Sequence, residues 1–595
     1  MAKVTFLTFY LDYSIGVYVL SSILQNAGHD VSVIFFKLPR KAVIPWFKKD
    51  PINVEHVIPT GEIIGHNADV NPWTPHEVEL LAAKLSDLSP DLLCISSRST
   101  DDRLVSQVIP EIRHRCSLPT TIAGGFGPTL NPERYCDLVD YVFMGEAENA
   151  ILDLVSAVEK GESLQGMKNI CFKENSVFVK NPLRVPDVHQ FTFEEVPVRQ
   201  FYVEDDMLMD FDDREQVMPT HTYGTFVGRG CISSCSYCSA GHWHDLYKRE
   251  GILIAKRRNR QLDDVFQELL RMKEKDYTFV HFRDEFLCAD VAYLKEFFRF
   301  YEREICLPFW AYLVPDQVLS HPELLDMAVN AGFVDTELGF QSGSKRINRD
   351  IYTRRISNAR TLEYARLLAR YDINMKHDFI IFNPAEQKTD IEATLELIQM
   401  LPKERSYLQL SRLHYFPESP IVDILKPVRQ NPLDFESHYA TALLYLLCFV
   451  LPKKEFDALR RDPGVTSSWR RLRTLYGDYL RQNHIEFPVG THEIPGSITT
   501  HRYQRILNKR QYRDVIVWGA GDYFREMSQI FKDVRVKYLI DDKCNGGCHG
   551  LETSPPTILN REKGATPIFV CSRRKQEIKQ YISQHYPDYG GLLYV

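Results

Sequence analysis

Cys231-Ile-Ser-Ser-Cys235-Ser-Tyr-Cys238 sets three thiols at C-x3-C-x2-C spacing in one short loop. The run just before it, Tyr223-Gly-Thr-Phe-Val-Gly-Arg-Gly230, reads as a buried strand ending in a glycine-rich turn. The thiols therefore stand at the C-terminal end of a strand, the active face of an α/β barrel. Thiolates hold iron–sulfur clusters, and a [4Fe–4S] cube given three of them keeps one iron open to an outside ligand. Two other readings compete: a structural zinc site, with His242 or His244 as fourth ligand, and three unrelated reduced thiols. Zinc knuckles normally bring their fourth ligand at a second paired spacing, and the surroundings of these thiols favour the cluster.

Downstream, the pattern is six strand-plus-helix units. The strands are expected at Thr222–Val227, Tyr277–Phe282, Pro308–Leu313, Val334–Phe340, Asn374–Phe382 and Tyr407–Leu413. Amphipathic helices fall between them, as at Leu262–Lys273 and Asn358–Tyr371. Six parallel units make a partial barrel, open on one side and able to admit a second domain.

Upstream, Val4–Tyr10, a helical segment ending at Gly28, and Asp30–Phe36 form a βαβ opening. Further buried strands at Leu92–Ser97, Thr120–Ala123 and Tyr141–Glu146 complete an open α/β sheet. Small, hydroxyl and glycine residues recur at its strand ends, where such sheets bind ligands. Turn geometry alone also selects those residues. A short strand pair near Asn169 and Val177 follows, and the acidic run Glu204 to Glu215 reads as a solvated linker or lid.

Toward the C-terminus, residues 431–510 are rich in Leu, Tyr and Arg at helical spacing and read as a helical subdomain that caps the barrel or positions substrate. Asp514-Val-Ile-Val-Trp-Gly-Ala-Gly521 and Val536–Asp542 form a last βαβ, with Asp541 about twenty residues beyond the glycines, as a dinucleotide site wants. Phe524 replaces the third glycine, so NAD is expected to bind poorly. A degenerate docking module and a true nucleotide or substrate site both stay open. Cys544, Cys548 and Cys571 read as incidental thiols rather than a second cluster.

Composition limits the function classes. With 595 residues the chain is long enough for several domains, divided here as 1–195, 196–430, 431–510 and 511–595. Apolar content of 44% and charged content of 25% are ordinary for a soluble protein, and a net charge of −7 argues against general nucleic-acid binding. The longest apolar run, Ala440–Leu451, is too short to span a bilayer as a helix. Thirteen cysteines, an odd number spread over a long chain, fit reduced thiols. With no signal-peptide pattern at the start, the cytoplasm is the expected location.

The thiol loop, with aromatic Tyr237 before its last Cys, resembles the signature of the radical S-adenosylmethionine (SAM) enzymes, and the six units resemble their core. The resemblance implies that Cys231, Cys235 and Cys238 ligate one [4Fe–4S] cluster. It also implies that SAM chelates the fourth iron through its amino and carboxylate groups. One electron from an external reductant then cleaves SAM to a 5′-deoxyadenosyl radical. "HFRDEFL" puts Asp284 and Glu285 where the family holds the SAM amino group. "LGFQSGS" resembles G-x-E-S-G-S, with Gln341 replacing the Glu that contacts the ribose and Ser342 beside it. An amide still hydrogen-bonds hydroxyls. "FIIFNPAE" and "YFPESP" resemble the later G-x-P-G-E and P-Y-P-G-T-P stretches, with Asn383 and Ala385 at glycine positions and Glu386 in a structural role.

"SIGVYVLSSILQNAGHDVSVI", "AGGFGPTLNPE" and "VDYVFMGEAE" resemble the cobalamin-binding domain that precedes the barrel in one radical SAM subfamily, over roughly residues 1–160. This implies a corrin over the sheet edge, against Ser14, Ile15, Gly16, Ser97, Thr100, Gly124, Gly125, Gly127 and Glu146. D-x-H-x-x-G is absent, so cobalt would lack a His from that motif. The C-terminal βαβ is similar to small Rossmann-like modules appended to some sugar-modifying methyltransferases.

The expected fold is thus α/β: an N-terminal Rossmann-like cobalamin-binding domain, a partial (β/α)6 radical SAM barrel, a helical subdomain and a C-terminal Rossmann-like module. The function implied is a cobalamin-dependent radical SAM methyltransferase acting on an unactivated carbon, or a similarly inert centre, of a small-molecule, biosynthetic-intermediate or carrier-linked substrate. A cyclase, ring-rearranging or oxidative enzyme with the same cofactors is one alternative. A non-catalytic cobalamin sensor is the other.

Overall fold

The computed structural model describes residues 1–595 apart from 12–13, 38–71, 187–197, 212–221, 275–276, 278, 417–418, 429–434, 467, 483–506, 508–511, 520–523, 525–527, 542–552, 563, 572–574, 590–591 and 595. Cys544 and Cys548 lie outside the described residues, as do Gly521 and the acidic run beyond Phe211.

Apolar, β-branched runs build the first sheet: β1 (Lys3–Phe9), β2 (Asp30–Phe36), β3 (Leu92–Ser96), β4 (Thr120–Gly124), β5 (Tyr141–Phe143), β6 (Ile170–Glu174), β7 (Val177–Lys180), β8 (Arg199–Glu204) and β9 (Met207–Phe211). Their order is β7-β6-β5-β4-β3-β1-β2-β8-β9. Strands β5, β4, β3, β1, β2 and β8 are parallel, and antiparallel arms close both edges. Both faces are apolar, as parallel sheets covered by crossover helices require. Val4, Phe6, Val33 and Phe35 pack on one side, and Leu7, Phe9, Ile34 and Phe36 on the other.

Two expectations change here. Strands β8 and β9 extend the first sheet, so the boundary at 195/196 moves beyond Phe211. Glu204, expected in a solvated run, is buried within 3.6 Å of the Lys37 ammonium, which also binds Glu77 at 2.8 Å. The acidic residue supplies a counter-charge that no reading of net charge along the chain reveals.

The second sheet runs β10 (Thr222–Thr225), β13 (Phe279–Phe282), β14 (Phe309–Trp310), β15 (Phe333–Gln341), β16 (Asn374–Ile381) and β17 (Ser406–Arg412), all parallel and in sequence order. Between the first two lies a small antiparallel pair, β11 (Gly228–Arg229) with β12 (Arg258–Asn259). Alternation with period two splits this sheet's faces. Val280, Phe282, Leu338, Phe340, Phe379 and Leu410 pack into the helices, while Asp335, Glu337, Lys376 and Asp378 take the inner face.

Helix Phe435–Val450 packs on the outside of this sheet, with Phe449 6.3 Å from His377 and Tyr439 5.3 Å from Trp469. The described helical residues therefore flank the barrel rather than cap it. Two side chains of this helix reach the strand ends: the Tyr445 hydroxyl donates to Glu386, and the His438 ring lies 5.4 Å from that of Phe382. The last sheet, β18 (Asp514–Trp518), β19 (Arg535–Ile540), β20 (Ile568–Val570) and β21 (Leu593–Tyr594), is parallel in the order β19-β18-β20-β21. Phe524 is buried in its core against Phe531, and Cys571 is buried as well. Among the described residues, no helix is long and apolar enough to cross a membrane.

Candidate active site

The thiol loop leaves β11 through Gly230, whose φ is +86° and whose added Cβ would lie 2.1 Å from the Lys256 carbonyl oxygen. Only glycine makes that turn. The loop is then fixed from two other strand ends. Ser236 N–H donates to the Tyr352 carbonyl at 2.9 Å and its hydroxyl to Ile351 at 2.6 Å. The Ser236 carbonyl accepts from the Ser419 hydroxyl at 2.5 Å and from Ile421 N–H at 3.1 Å. Thus the two turns after β15 and β17 clasp the loop, which gives "YFPESP" a concrete task through Ser419.

Cys231, Cys235 and Cys238 are half-buried; Cys235 raises the pKa of Cys231 by repulsion and both raise that of Cys238, so the three share one neighbourhood. Burial is the larger cause and pushes Cys238 up to about 11. Among the described residues, no three His, Cys, Asp or Glu side chains are gathered tightly enough to grip a single ion. Three neighbouring but separate thiols suit a cube, in which each sulfur takes its own iron.

The structure separates the residues expected to meet SAM. Tyr237 packs its ring 5.0 Å from that of Tyr352, against Ile380, Leu413 and Ile421, and so anchors the loop. Asp284 is buried and accepts from Val227 N–H and Gly228 N–H, both at 2.9 Å, and from Arg257 Nη2 at 2.6 Å. Burial outweighs the arginine and moves its carboxyl up to about 6. Glu285 is the presented member of the pair: its side chain is 36% exposed, and its charge acts on Cys231 and Cys238. Gln341 ends β15 at φ +64°, donates to Asp378, and keeps a buried Oε1 with no hydrogen-bond partner among the described residues. Ser342 is turned inward, where its hydroxyl accepts from Ser344 N–H at 3.1 Å.

At the first sheet's C-terminal rim, the expected corrin-facing residues divide similarly. Ser14, Ile15 and Gly16 open the helix Ile15–Asn26, and Gly16 has no atom within 4 Å of an added Cβ. Thr100 is half-buried. Ser97 is buried and its hydroxyl pairs with Tyr135 at 2.7 Å. Gly124 ends β4 with room around it. Gly125, at φ +102°, would place a Cβ 2.6 Å from the Ser97 carbonyl oxygen, and at Gly127 it would lie 2.7 Å from the Tyr135 hydroxyl. Those two glycines are demanded by the backbone, so Gly16 is the position that reads out open space. Glu146 is not a free rim carboxylate: Arg258, Arg229 and Trp243 all hold it, and its own N–H donates to the Tyr247 hydroxyl at 3.0 Å.

What sequence reasoning missed is the run Lys256-Arg-Arg-Asn-Arg260, four cations in five residues of an acidic chain. Each reaches a different partner. Lys256 bonds Ser234 in the thiol loop at 2.7 Å, Arg257 bonds Asp284, Arg258 bonds Glu146 of the first sheet, and Arg260 bonds Glu268 at 2.6 Å. Arg229 adds Glu148 at 2.6 Å, and Phe126 meets Trp243 with ring centroids 4.8 Å apart. The rim of the first sheet is thereby fastened to the helix that follows the thiols. The density of cations was the available signal.

Residues 225–398 match the Radical SAM superfamily. An uncharacterized methyltransferase of Pyrococcus horikoshii, PH0819, is 22% identical over 338 residues, which cover 54% of this chain and 66% of that protein, just under two thirds of its length. The fold resembles that of the radical SAM methyltransferase TsrM from Kitasatospora setae, solved with cobalamin and a [4Fe–4S] cluster, at TM-score 0.53 and 15% identity over 72% of this chain and 78% of that one. It also resembles the cobalamin-dependent SAM radical enzyme OxsB, solved with aqua-cobalamin and SAM, at TM-score 0.52 and 13% identity over 90% and 84%. At these identities the likeness is one of fold.

Proposed function

We propose that this chain, which belongs to the radical SAM superfamily through residues 225–398, is a cobalamin-dependent methyltransferase acting on an unactivated carbon. One observation carries the reading: the glycine-rich C-terminal rim of the first sheet is fastened against the segment after Cys238 by Glu146, Arg258 and the Phe126–Trp243 contact. Cys231, Cys235 and Cys238 would hold the cluster, Glu285 and Gln341 would meet SAM, and the rim around Ser14–Gly16, Thr100 and Gly124 would lie under the corrin. When bound, the cluster with SAM supplies one-electron C–S cleavage, and cobalamin supplies a methyl group for transfer. The protein's part is to bring these groups face to face and keep water from the radical. A one-electron reductant from outside the chain, and the reducing cytoplasm that keeps the thiols free, complete the requirement.

Anaerobic reconstitution followed by mass spectrometry with labelled SAM tests this. The expected product gains one labelled methyl group in place of hydrogen. A product formed with deoxyadenosine but without label would transfer the proposal to the cyclising or oxidative class.

A further inference from the structure

Apart from Gln341, the inner face of the second sheet carries polar groups that the cluster, SAM and cobalamin sites do not use. On β15 and β16 the register brings Glu337 beside Lys376 and Gly339 beside Asp378, and Asp378 in turn pairs with Gln409 on β17. Lys376 meets Glu337 at 3.0 Å. Asp378 accepts from the Ser411 hydroxyl at 2.8 Å, and the Gln409 amide nitrogen lies 3.2 Å from that same hydroxyl. Asp335 sits deeper on β15, next to Trp310.

The donors and acceptors on this face do not balance. The Gln409 and Gln341 amides both point their N–H groups into the chain that ends on Asp378. Leaving aside Gln341, whose amide oxygen is assigned to SAM, Gln409 Oε1 and Asp335 Oδ1 are buried with no hydrogen-bond partner among the described residues, on residues that are 8% and 3% exposed. The charges do not balance either: Lys376 and Glu337 act on both Asp335 and Asp378, and with the Arg354 guanidinium at the Gly339 carbonyl this face holds three carboxylates against two cations. Buried acceptors without donors are costly, and a native protein keeps them where a ligand supplies the donors.

Resting on the methyltransferase reading above, we propose that the substrate of this site carries a protonated amino group, which seats against Asp378 and the amide oxygen of Gln409. An ammonium brings three donors and one positive charge, and so meets both deficits at once. A neutral polyol supplies donors only, and a carboxylate or phosphate adds to the surplus of negative charge. The elevated pKa of Asp335 and Asp378, each pushed to about 7 mainly by burial, is what a cation pocket shows before its cation arrives.

The test is a binding panel on the full-length, anaerobically reconstituted protein, read by calorimetry and saturation-transfer NMR. Glucosamine, phenethylamine and cadaverine are each set against a neutral counterpart: glucose, 2-phenylethanol and 1,5-pentanediol. At least one amine is expected to bind about tenfold or more tightly than its partner, as a charge-assisted hydrogen bond warrants, and Asp378→Asn should erase that preference. If Asp378→Asn does not fold, Lys376→Met takes its place and should widen the gap. No amine preference in any pair, or a preference untouched by the substitution, overturns the proposal. Deoxyadenosine formation is measured in the same samples. Its absence beside an intact amine preference breaks the methyltransferase reading and leaves this one standing.

Discussion

The first sheet is parallel between its antiparallel edges and the second is parallel throughout, and both end in glycine-rich turns, yet they differ in what covers them. The first has apolar cores on both faces, so its chemistry is confined to the rim where the strands end. The second buries one face under helices and keeps charged and amide groups on the other. The C-terminal sheet follows the first, with Val515 and Val517 on one side and Ile516 and Trp518 on the other. A sheet sealed on both faces can only present a ligand at an edge. One with an open inner face can enclose it.

The largest effect that would break this contrast concerns the rim of the second sheet. Replacing Cys231, Cys235 and Cys238 together with Ala is expected to abolish 5′-deoxyadenosine formation while leaving the first sheet folded by circular dichroism. A normal rate of SAM cleavage in that protein would sink the cluster assignment. On the first sheet, Gly16→Trp puts an indole into space that is empty around the backbone. It should prevent retention of cobalamin, read by visible spectroscopy after gel filtration, with little change in melting temperature. Retention at wild-type stoichiometry would remove this rim from the corrin's footprint.

Smaller effects sharpen the comparison. Glu146→Ala leaves two arginines at the junction without their shared carboxylate, and breaking a buried pair of this kind costs about 3 kcal/mol. Denaturant unfolding and protease sensitivity between residues 145 and 260 measure it. A loss near zero would mean the two sheets are held by packing alone.

The inner face predicts a pH dependence. Asp335 and Asp378 have folded-state values raised from 3.8 to about 7. Between those limits the folded state binds more protons than the unfolded one, so stability falls as pH rises. The contribution is complete below about pH 4 and gone above about pH 7. Asp335→Asn should flatten that slope and raise the melting temperature at pH 8 by about 2 °C or more. An unchanged slope would mean the carboxyl is charged throughout. Least of all, removal of residues 511–595 should leave cluster assembly and uncoupled SAM cleavage as they were, and NAD should bind weakly, since Phe524 fills the close approach a third glycine would allow.

The elements themselves were legible. All six barrel strands fall within about three residues of where alternation and flanking turns put them, and Leu262–Lys273 forms the helix its periodicity describes. Local patterns carry that information because they report a residue's face directly. What stayed hidden was pairing across distance. Nothing near Glu204 announces Lys37, and Asp284 and Glu285 are chemically equivalent neighbours until the fold buries one and presents the other. Glu146 illustrates the same limit. Its place at a strand end was read correctly, but its partners lie more than eighty residues away.

The fan of cations from Lys256 to Arg260 bears on how this chain could be recombined with its relatives. A chimera that exchanges residues 1–211 and keeps the barrel inherits Arg229 and Arg258 but not their acids. Glu146 and Glu148 would therefore have to travel with the graft, or both arginines be replaced, for the two halves to dock. The segment to treat as one inheritable unit is the acid–arginine junction, and the best crossover point lies in the chain between β9 and β10, after the first sheet has closed and before the thiol loop begins.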